Sequence, residues 1–328
     1  MKIVIPGGTG QIGTILARDF HAKGDEVIVL SREAKRLPWR VVLWDAQTLD
    51  KWVEELEGAD VLINLTGKSV NCRYNWKNRC KILESRTRSV RVLGQALPQL
   101  KTPPRVWLQA ATATIYAHRF DAPNDETTGI LGGLAKGEPD TWRFSIDVAR
   151  AWEGEFSLIN LPRTRKVSLR SAMTMSPDSD GIFDYLLWLV RCGLGGKAGS
   201  GKQFISWIHY QDFIRAINFL IQRDDIEGVV NVCSPNPLPN AQFMSLLRRA
   251  WCAPFGLPAT KLMLELGAIF LRTDTELVLK SRRVVPARLL DQGFTFKYPE
   301  WNKAAEALCK EWQDFRKPKR EHRYAQSL

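Results

Sequence analysis

Metal and redox chemistry have little to work with in this chain. It holds four histidines and six cysteines in 328 residues. The cysteines (Cys72, Cys80, Cys192, Cys233, Cys252 and Cys309) are scattered, form no C-x-x-C pair, and have no histidines clustered beside them. That excludes a zinc-finger pattern and a disulfide framework, and the thiols read as reduced, mostly small core residues. No uninterrupted apolar run reaches membrane-spanning length. Met1 to Ile5 goes directly into an apolar strand pattern, so no leader peptide is expected and a cytoplasmic protein is. Internal repeats and low-complexity tracts are missing. Acidic residues are the minority sign, 35 against 47 basic ones, which leaves a formal net charge of +12. Part of that excess is local, in Lys280-Ser281-Arg282-Arg283 and Arg316-Lys317-Pro318-Lys319-Arg320. No nucleic-acid-binding motif accompanies these runs, so nucleic acid is not expected as a partner, and residues 316–328 read as a basic flexible tail.

What the chain does have comes first. Met1-Lys2-Ile3-Val4-Ile5-Pro6 reads as a buried strand, followed at once by Gly7-Gly8-Thr9-Gly10-Gln11-Ile12-Gly13. An amphipathic helix pattern runs from about Gln11 to Lys23, and a second strand, Glu26 to Leu30, ends in Ser31-Arg32. Strand, glycine turn, helix and strand form the unit that holds a dinucleotide. Gly7 suits the tight turn, Gly10 the approach of backbone to the pyrophosphate, and Gly13 close helix–strand packing. The free N–H groups of the helix N-terminus suit phosphate. An NAD site wants a carboxylate after the second strand, to accept from the ribose 2′-OH. Here stands Arg32, with Lys35 and Arg36 close behind. A guanidinium suits a 2′-phosphate, so NADP(H) is expected over NAD(H); the competing reading is a solvated basic loop.

Strands and helices then alternate. Strands are expected at Val41 to Trp44, Asp60 to Leu65, Val106 to Gln109 and Val167 to Arg170, and helices at Leu49 to Leu56, Asn75 to Leu97 and Thr141 to Leu158. This predicts an α/β chain with a Rossmann-type, doubly wound parallel sheet. The expected nucleotide-binding domain covers residues 1–165 and is completed by about 203–225. A smaller, mostly helical substrate lobe, 166–315, follows, broken by Pro235, Pro237, Pro239, Pro254 and Pro258.

Three further stretches carry a resemblance. They are Asn75-Trp76 with Glu84-Ser85-Arg86; Gly193-Leu194-Gly195-Gly196 with Gly199 through His209 and Asp212; and Arg283 through Leu290 with Gly293-Phe294 and Phe296 through Pro299. Together with the glycine loop they make the chain similar, almost end to end, to an atypical branch of the extended short-chain dehydrogenase/reductases. That branch is labelled NAD-dependent epimerase/dehydratase-like, and some of its members carry a cell-division-inhibitor label. The resemblance implies that Asp45 sits by the adenine and that Asn64, Leu65, Thr66 and Gly67 line the ribose. It implies further that Thr112, four residues before Tyr116, holds the reacting oxygen, and that Arg170 lies near the nicotinamide. Asn64 and Thr112 can equally be strand-end residues bonded to backbone. The long helix from Asn75 forms a dimer face in relatives, which makes a homodimer a possibility.

Catalysis in that superfamily uses a tyrosine and a lysine four residues later on one helix face. The corresponding helix here has Ser145 and Ala149 at those places. Tyr116 and Asp147 are the remaining candidates for a proton-bearing group, although Tyr116 is usually structural and Asp147 can as well point to solvent. Trp76 reads as a core or lobe-interface residue, Arg86 as half of an ion pair, and His209 with Asp212 as a lobe junction. Two readings stay open: an NADP-dependent oxidoreductase or epimerase acting on a small carbonyl, hydroxyl or sugar-like substrate, and a dinucleotide-binding regulatory or scaffold protein.

Overall fold

The computed structural model describes residues 1–133, 137–260 and 276–316. Its centre is a seven-stranded sheet in the order β10-β6-β5-β4-β1-β2-β3. The strands are β1 (Lys2–Pro6), β2 (Glu26–Ser31), β3 (Arg40–Leu43), β4 (Val61–Asn64), β5 (Val106–Thr112), β6 (Arg165–Ser171) and β10 (Gly228–Val232). Every pairing is parallel. Parallel strands covered on both faces must be apolar throughout, and Val27 to Leu30 of β2 are all buried.

One face is covered by α1 (Gln11–Ala22) and α5 (Tyr210–Gln222), through Leu16, Phe20, Phe213 and Leu220. The other is covered by α2 (Trp76–Ala96) and α3 (Asp140–Leu158), through Val90, Leu93, Trp152 and Phe156. The strand order reverses between β1 and β4, and such a switch point opens a crevice at the carboxyl edge of the sheet.

The sheet runs past residue 165. β6 and β10 are two of its strands, and α5 closes one of its faces. The C-terminal lobe has its own core. α4 (Ile182–Arg191), α6 (Asn240–Ala250) and the helix Trp301–Arg316 bury Phe183, Leu187, Phe243, Leu247, Trp301 and Trp312 together. Four short strands lie there: β7 (Met173–Met175) pairs in parallel with β9 (Trp207–His209), and β8 (Phe204–Ile205) antiparallel with β11 (Leu238–Pro239). Between β3 and β4 the expected helix is a 3-10 segment, Lys51–Leu56, too short for α geometry to propagate.

Several sequence expectations are corrected. Trp76 is no core residue; as the first residue of α2 it is 82% exposed. Only Cys233 and Cys309 of the six unpaired cysteines are buried. Lys280 and Arg282, which hold part of the basic excess, are buried. The tail at 317–328 lies outside the described residues. Among the described residues no helix is long and apolar enough to cross a membrane, and no cluster of His, Cys, Asp and Glu could hold a metal.

Candidate functional site: a cationic groove at the carboxyl edge of the sheet

The loops after β1, β2, β3 and β4 enclose a groove of about 590 Å³. Its floor is the glycine turn. Gly7 has φ +76°, and a Cβ there would lie 2.8 Å from the Thr66 amide nitrogen, so only glycine lets the β1 and β4 loops meet. A Cβ on Gly13 would come within 2.4 Å of Gly8 Cα. Gly13 therefore packs α1 onto the loop, not onto the strand as its place in the motif suggests. Gly10 differs. A Cβ there would meet only Gly7 O, at an unstrained 3.6 Å. The protein's own packing does not require this glycine, and its bare backbone leaves room on the groove side for a ligand to lie close.

Gly10 is also the N-cap of α1. It offers no side-chain cap, and the first turn of the helix carries no acidic residue. Four N–H groups at a helix start lack intrahelical partners, and the positive end of the dipole lies at Gly10, which lines the groove. Two neighbouring polar atoms, Gln11 Nε2 and Thr66 Oγ1, are buried without any hydrogen-bond partner. Native structures leave few such atoms unsatisfied. A backbone cradle and two orphaned polar groups fit the phosphates of a dinucleotide.

Five cations line the groove: Arg32, Lys35, Lys68, Lys81 and Arg88. Arg32 and Lys35 are exposed and have no partner among the described residues. Ser31 is buried at the end of β2, where its hydroxyl accepts the Glu33 amide at 3.2 Å and lies 3.5 Å from Thr9 Oγ1. Asp45 also lines the groove. Its carboxylate accepts the amides of Gln47 and Thr48 at 2.8 and 2.9 Å. Burial pushes that carboxyl up, but the amide bonds outweigh burial and hold it below its ordinary value.

Of the residues expected at the cofactor, Gly7, Thr9, Gly10, Ser31, Arg32, Asp45, Leu65, Thr66 and Gly67 line the groove together. Ile12 packs its side chain on the sheet core, so only its backbone is available there. Asn64 does not reach the groove. It is fully buried, donates to Gln109 Oε1 at 2.9 Å and accepts the Thr66 amide at 3.1 Å, which fixes the β4 loop from beneath. Sequence reasoning missed Lys81 and Arg88. They lie seven residues apart in α2, two helical turns on one face, and that period was the available signal. Arg88 Nη1 donates to Gln47 Oε1 at 2.6 Å, and its other terminal nitrogen lies 3.3 Å from Glu84.

The residues proposed for chemistry are divided differently. Thr112 ends β5 half-buried, and its Oγ1 accepts the Thr114 amide at 3.2 Å, which leaves its own O–H to donate elsewhere. Tyr116 is buried away from the groove. Its hydroxyl donates to Asn231 Oδ1 at 2.9 Å and accepts from Arg170 Nη1 at 2.9 Å, and burial pushes the phenol above its ordinary pKa. Arg170 lies within β6, where Glu153 clasps it at 2.7 and 2.8 Å; it lines no part of the groove. Asp147 is exposed on α3. Arg86 forms no ion pair among the described residues. It donates to the Lys68 and Ile82 carbonyls at 3.1 and 3.0 Å and lies over Trp152, and burial lowers its pKa to about 10.

These features define a Rossmann-type α/β protein with a dinucleotide groove. Residues 3–131 match the NAD dependent epimerase/dehydratase family, and residues 259–308 match DUF1731, a domain of unknown function. The human epimerase family protein SDR39U1 is 28% identical over 311 residues, covering 94% of this chain and 99% of that one. The Bacillus subtilis epimerase family protein YfhF is 29% identical over 305 residues, covering 92% and 95%. A crystal structure of human SDR39U1 (isoform 2) with NADPH superposes with a TM-score of 0.82 at 26% identity, covering 94% of this chain and 99% of that one. The chain is thus similar over nearly its whole length to epimerase family proteins, with the NAD dependent epimerase/dehydratase match in its N-terminal part and the DUF1731 match near its C-terminal end.

Proposed function

We propose that the chain is an NADP(H)-dependent oxidoreductase or epimerase of the atypical short-chain dehydrogenase type, acting on a small carbonyl, hydroxyl or sugar-like substrate. The observation that carries the cofactor choice is Arg32. It stands where an NAD site would hold a carboxylate, it lines the groove, and no acidic partner neutralises it among the described residues. Lys35 adds a second free cation, and the solved human relative contains NADPH. The uncapped start of α1 and Gln11 would hold the pyrophosphate, and Thr66 and Gly67 the ribose. When bound, the nicotinamide supplies or accepts hydride. Thr112 holds the substrate oxygen with its free O–H. The substrate lies between the edge of the sheet and the C-terminal lobe, which packs tightly where Gly181 meets Gln11; a Cβ at 181 would lie 2.0 Å from Gln11 Nε2.

A second reading is favoured by one observation. Ser145 and Ala149 replace the tyrosine–lysine pair on α3, which suits a protein that reports bound dinucleotide to a partner instead of turning it over. Calorimetry with NADPH and NADH tests the cofactor choice. Binding of NADPH at least tenfold tighter is expected, and equal or tighter binding of NADH would overturn it. NADPH that binds well while no hydride moves to a broad panel of carbonyl substrates would favour the second reading.

A further inference from the structure

A buried polar cluster at the end of β5 is used neither by the groove nor by the sheet core. Ser145, at the helix position where a tyrosine is missing, donates its hydroxyl to Glu276 Oε2 at 2.6 Å. Glu276 Oε1 accepts from Arg282 Nη2 at 2.9 Å, and Arg282 Nε donates to Thr114 Oγ1 at 3.2 Å. Lys280 Nζ donates to the Thr114 carbonyl at 2.7 Å. The Ser281 amide donates to His118 Nδ1 at 2.8 Å. Glu138, just before α3, holds a buried Oε2 with no partner. Residues 276–282 of the C-terminal lobe thus press a glutamate, a lysine and an arginine against the turn that follows Thr112.

This location bears on chemistry. A dinucleotide lies across the carboxyl ends of the strands on both sides of the switch point. Arg32 at the end of β2 marks the adenosine-phosphate end, so the reactive end falls toward β4 and β5, where Thr112 and Thr114 stand. Lys280 is 1% exposed, and the Thr114 carbonyl is the only acceptor it bonds among the described residues. A structural ammonium buried this deeply would normally spend its three donors on several acceptors. Burial lowers the Lys280 pKa to about 8; Arg282 lowers it further, while Glu276 and Glu138 act against that. His118 is lowered in turn by burial and by Lys280. An amine that changes charge near neutral pH is matched to proton transfer.

We propose that Lys280, supplied by the C-terminal lobe, carries the proton that the absent tyrosine would have carried. The proposal rests on the reading of the groove as an NADP(H) site. In the reducing direction the Lys280 ammonium gives its proton to the substrate carbonyl oxygen held by Thr112, while hydride from the dinucleotide reaches the carbonyl carbon. The alcohol and the oxidised dinucleotide result, and the neutral amine regains a proton from water. Glu276, Arg282, Glu138 and His118 set the charge around it.

The test needs no substrate. The full-length protein is made with lysine carrying 13C at Cε, and its lysine signals are titrated by NMR alone, with NADPH, and with NADP+. The Lys280 signal is identified by its loss in Lys280→Arg; should that variant not fold, Glu138→Gln identifies it by a downward shift of one midpoint. The expected free-protein midpoint is about 8. The pyridinium of NADP+ repels a nearby ammonium, so the midpoint in NADP+ should lie lower than in NADPH by roughly half a unit or more. A lysine that only clamps the lobes would also titrate low, but identically in both complexes. Identical midpoints, or no lysine titrating between roughly pH 7 and 9, would overturn the proposal. If neither dinucleotide perturbs any signal, the cofactor reading itself fails and the proposal falls with it.

Discussion

At the scale of single residues, the two groups that read alike in the sequence, Arg32 and Arg170, differ in what they hold. Arg170 is clasped by Glu153 and bonded to Tyr116, whereas Arg32 has no partner among the described residues. Arg32→Ala therefore strands nothing inside the protein. It should leave thermal stability unchanged and weaken NADPH by about 1.5–3 kcal/mol, ten- to a hundredfold, with NADH affinity unaltered. Parallel calorimetric titrations read this directly; an equal loss for both dinucleotides would assign Arg32 to the pyrophosphate instead. Tyr116→Phe is expected to do the reverse. Removing the hydroxyl leaves Asn231 Oδ1 and Arg170 Nη1 each short of a buried bond, at about 1–3 kcal/mol in urea denaturation, with dinucleotide affinity unmoved. A stability within a few tenths of wild type would show that the phenol is not the structural link described above.

At the scale of elements, α3 has lost more than two side chains. Ala149 is 2% exposed and packs beside Ala113, Ile115 and Tyr116, so the helix has closed onto the turn after β5 where a lysine would need room. Ala149→Lys should destabilise by about 1–3 kcal/mol from overpacking alone. A variant as stable as wild type would mean that a lysine pocket persists there. The same helix shows what sequence can and cannot convey. The place of the glycine turn and of Arg32 on the groove was legible because it depends on backbone geometry and on position within thirty residues of chain. The boundaries of β1, β2 and α1 were legible for the same reason. The replacement cluster was not. Ser145 meets Glu276 across 131 residues, and Lys280 meets Thr114 across 166. No local spacing encodes such pairs, and Lys280-Ser281-Arg282-Arg283 has the composition of a solvated run. Trp76 misled for a related reason: helical periodicity gives a face but not how far the partner element extends, and α2 outruns its partner at that end.

At the scale of the whole molecule, stability depends on how the sheet domain is fastened to its C-terminal lobe, and that fastening carries a pH signature. His209 caps α5, its Nδ1 accepting the Gln211 amide at 3.2 Å, and stacks 4.0 Å from the Tyr298 ring. Two residues into the helix, Asp212 accepts the amides of Lys297 and Tyr298, each at 2.7 Å. His209 is fully buried, and burial, helped by Lys297, lowers its pKa to about 3. An unfolded chain takes up a proton on this imidazole near pH 6.5, while the folded chain refuses it until about 3. The folded pKa is depressed, so the contribution is complete above the unfolded value and is lost progressively as pH falls from 6.5 toward 3. Between pH 7.5 and 5 the loss from this residue should be about 2 kcal/mol. His209→Asn keeps a side-chain acceptor for the cap but cannot charge. The variant should be less stable than wild type at pH 7.5, having lost the stack on Tyr298, yet should fall by about 2 kcal/mol less on acidification to pH 5. Carboxylates titrate alike in both proteins and cancel in the comparison. Urea midpoints at the two pH values decide the matter. If both proteins lose the same stability, the junction histidine already accepts a proton in the folded state, and water reaches the seam between sheet and lobe.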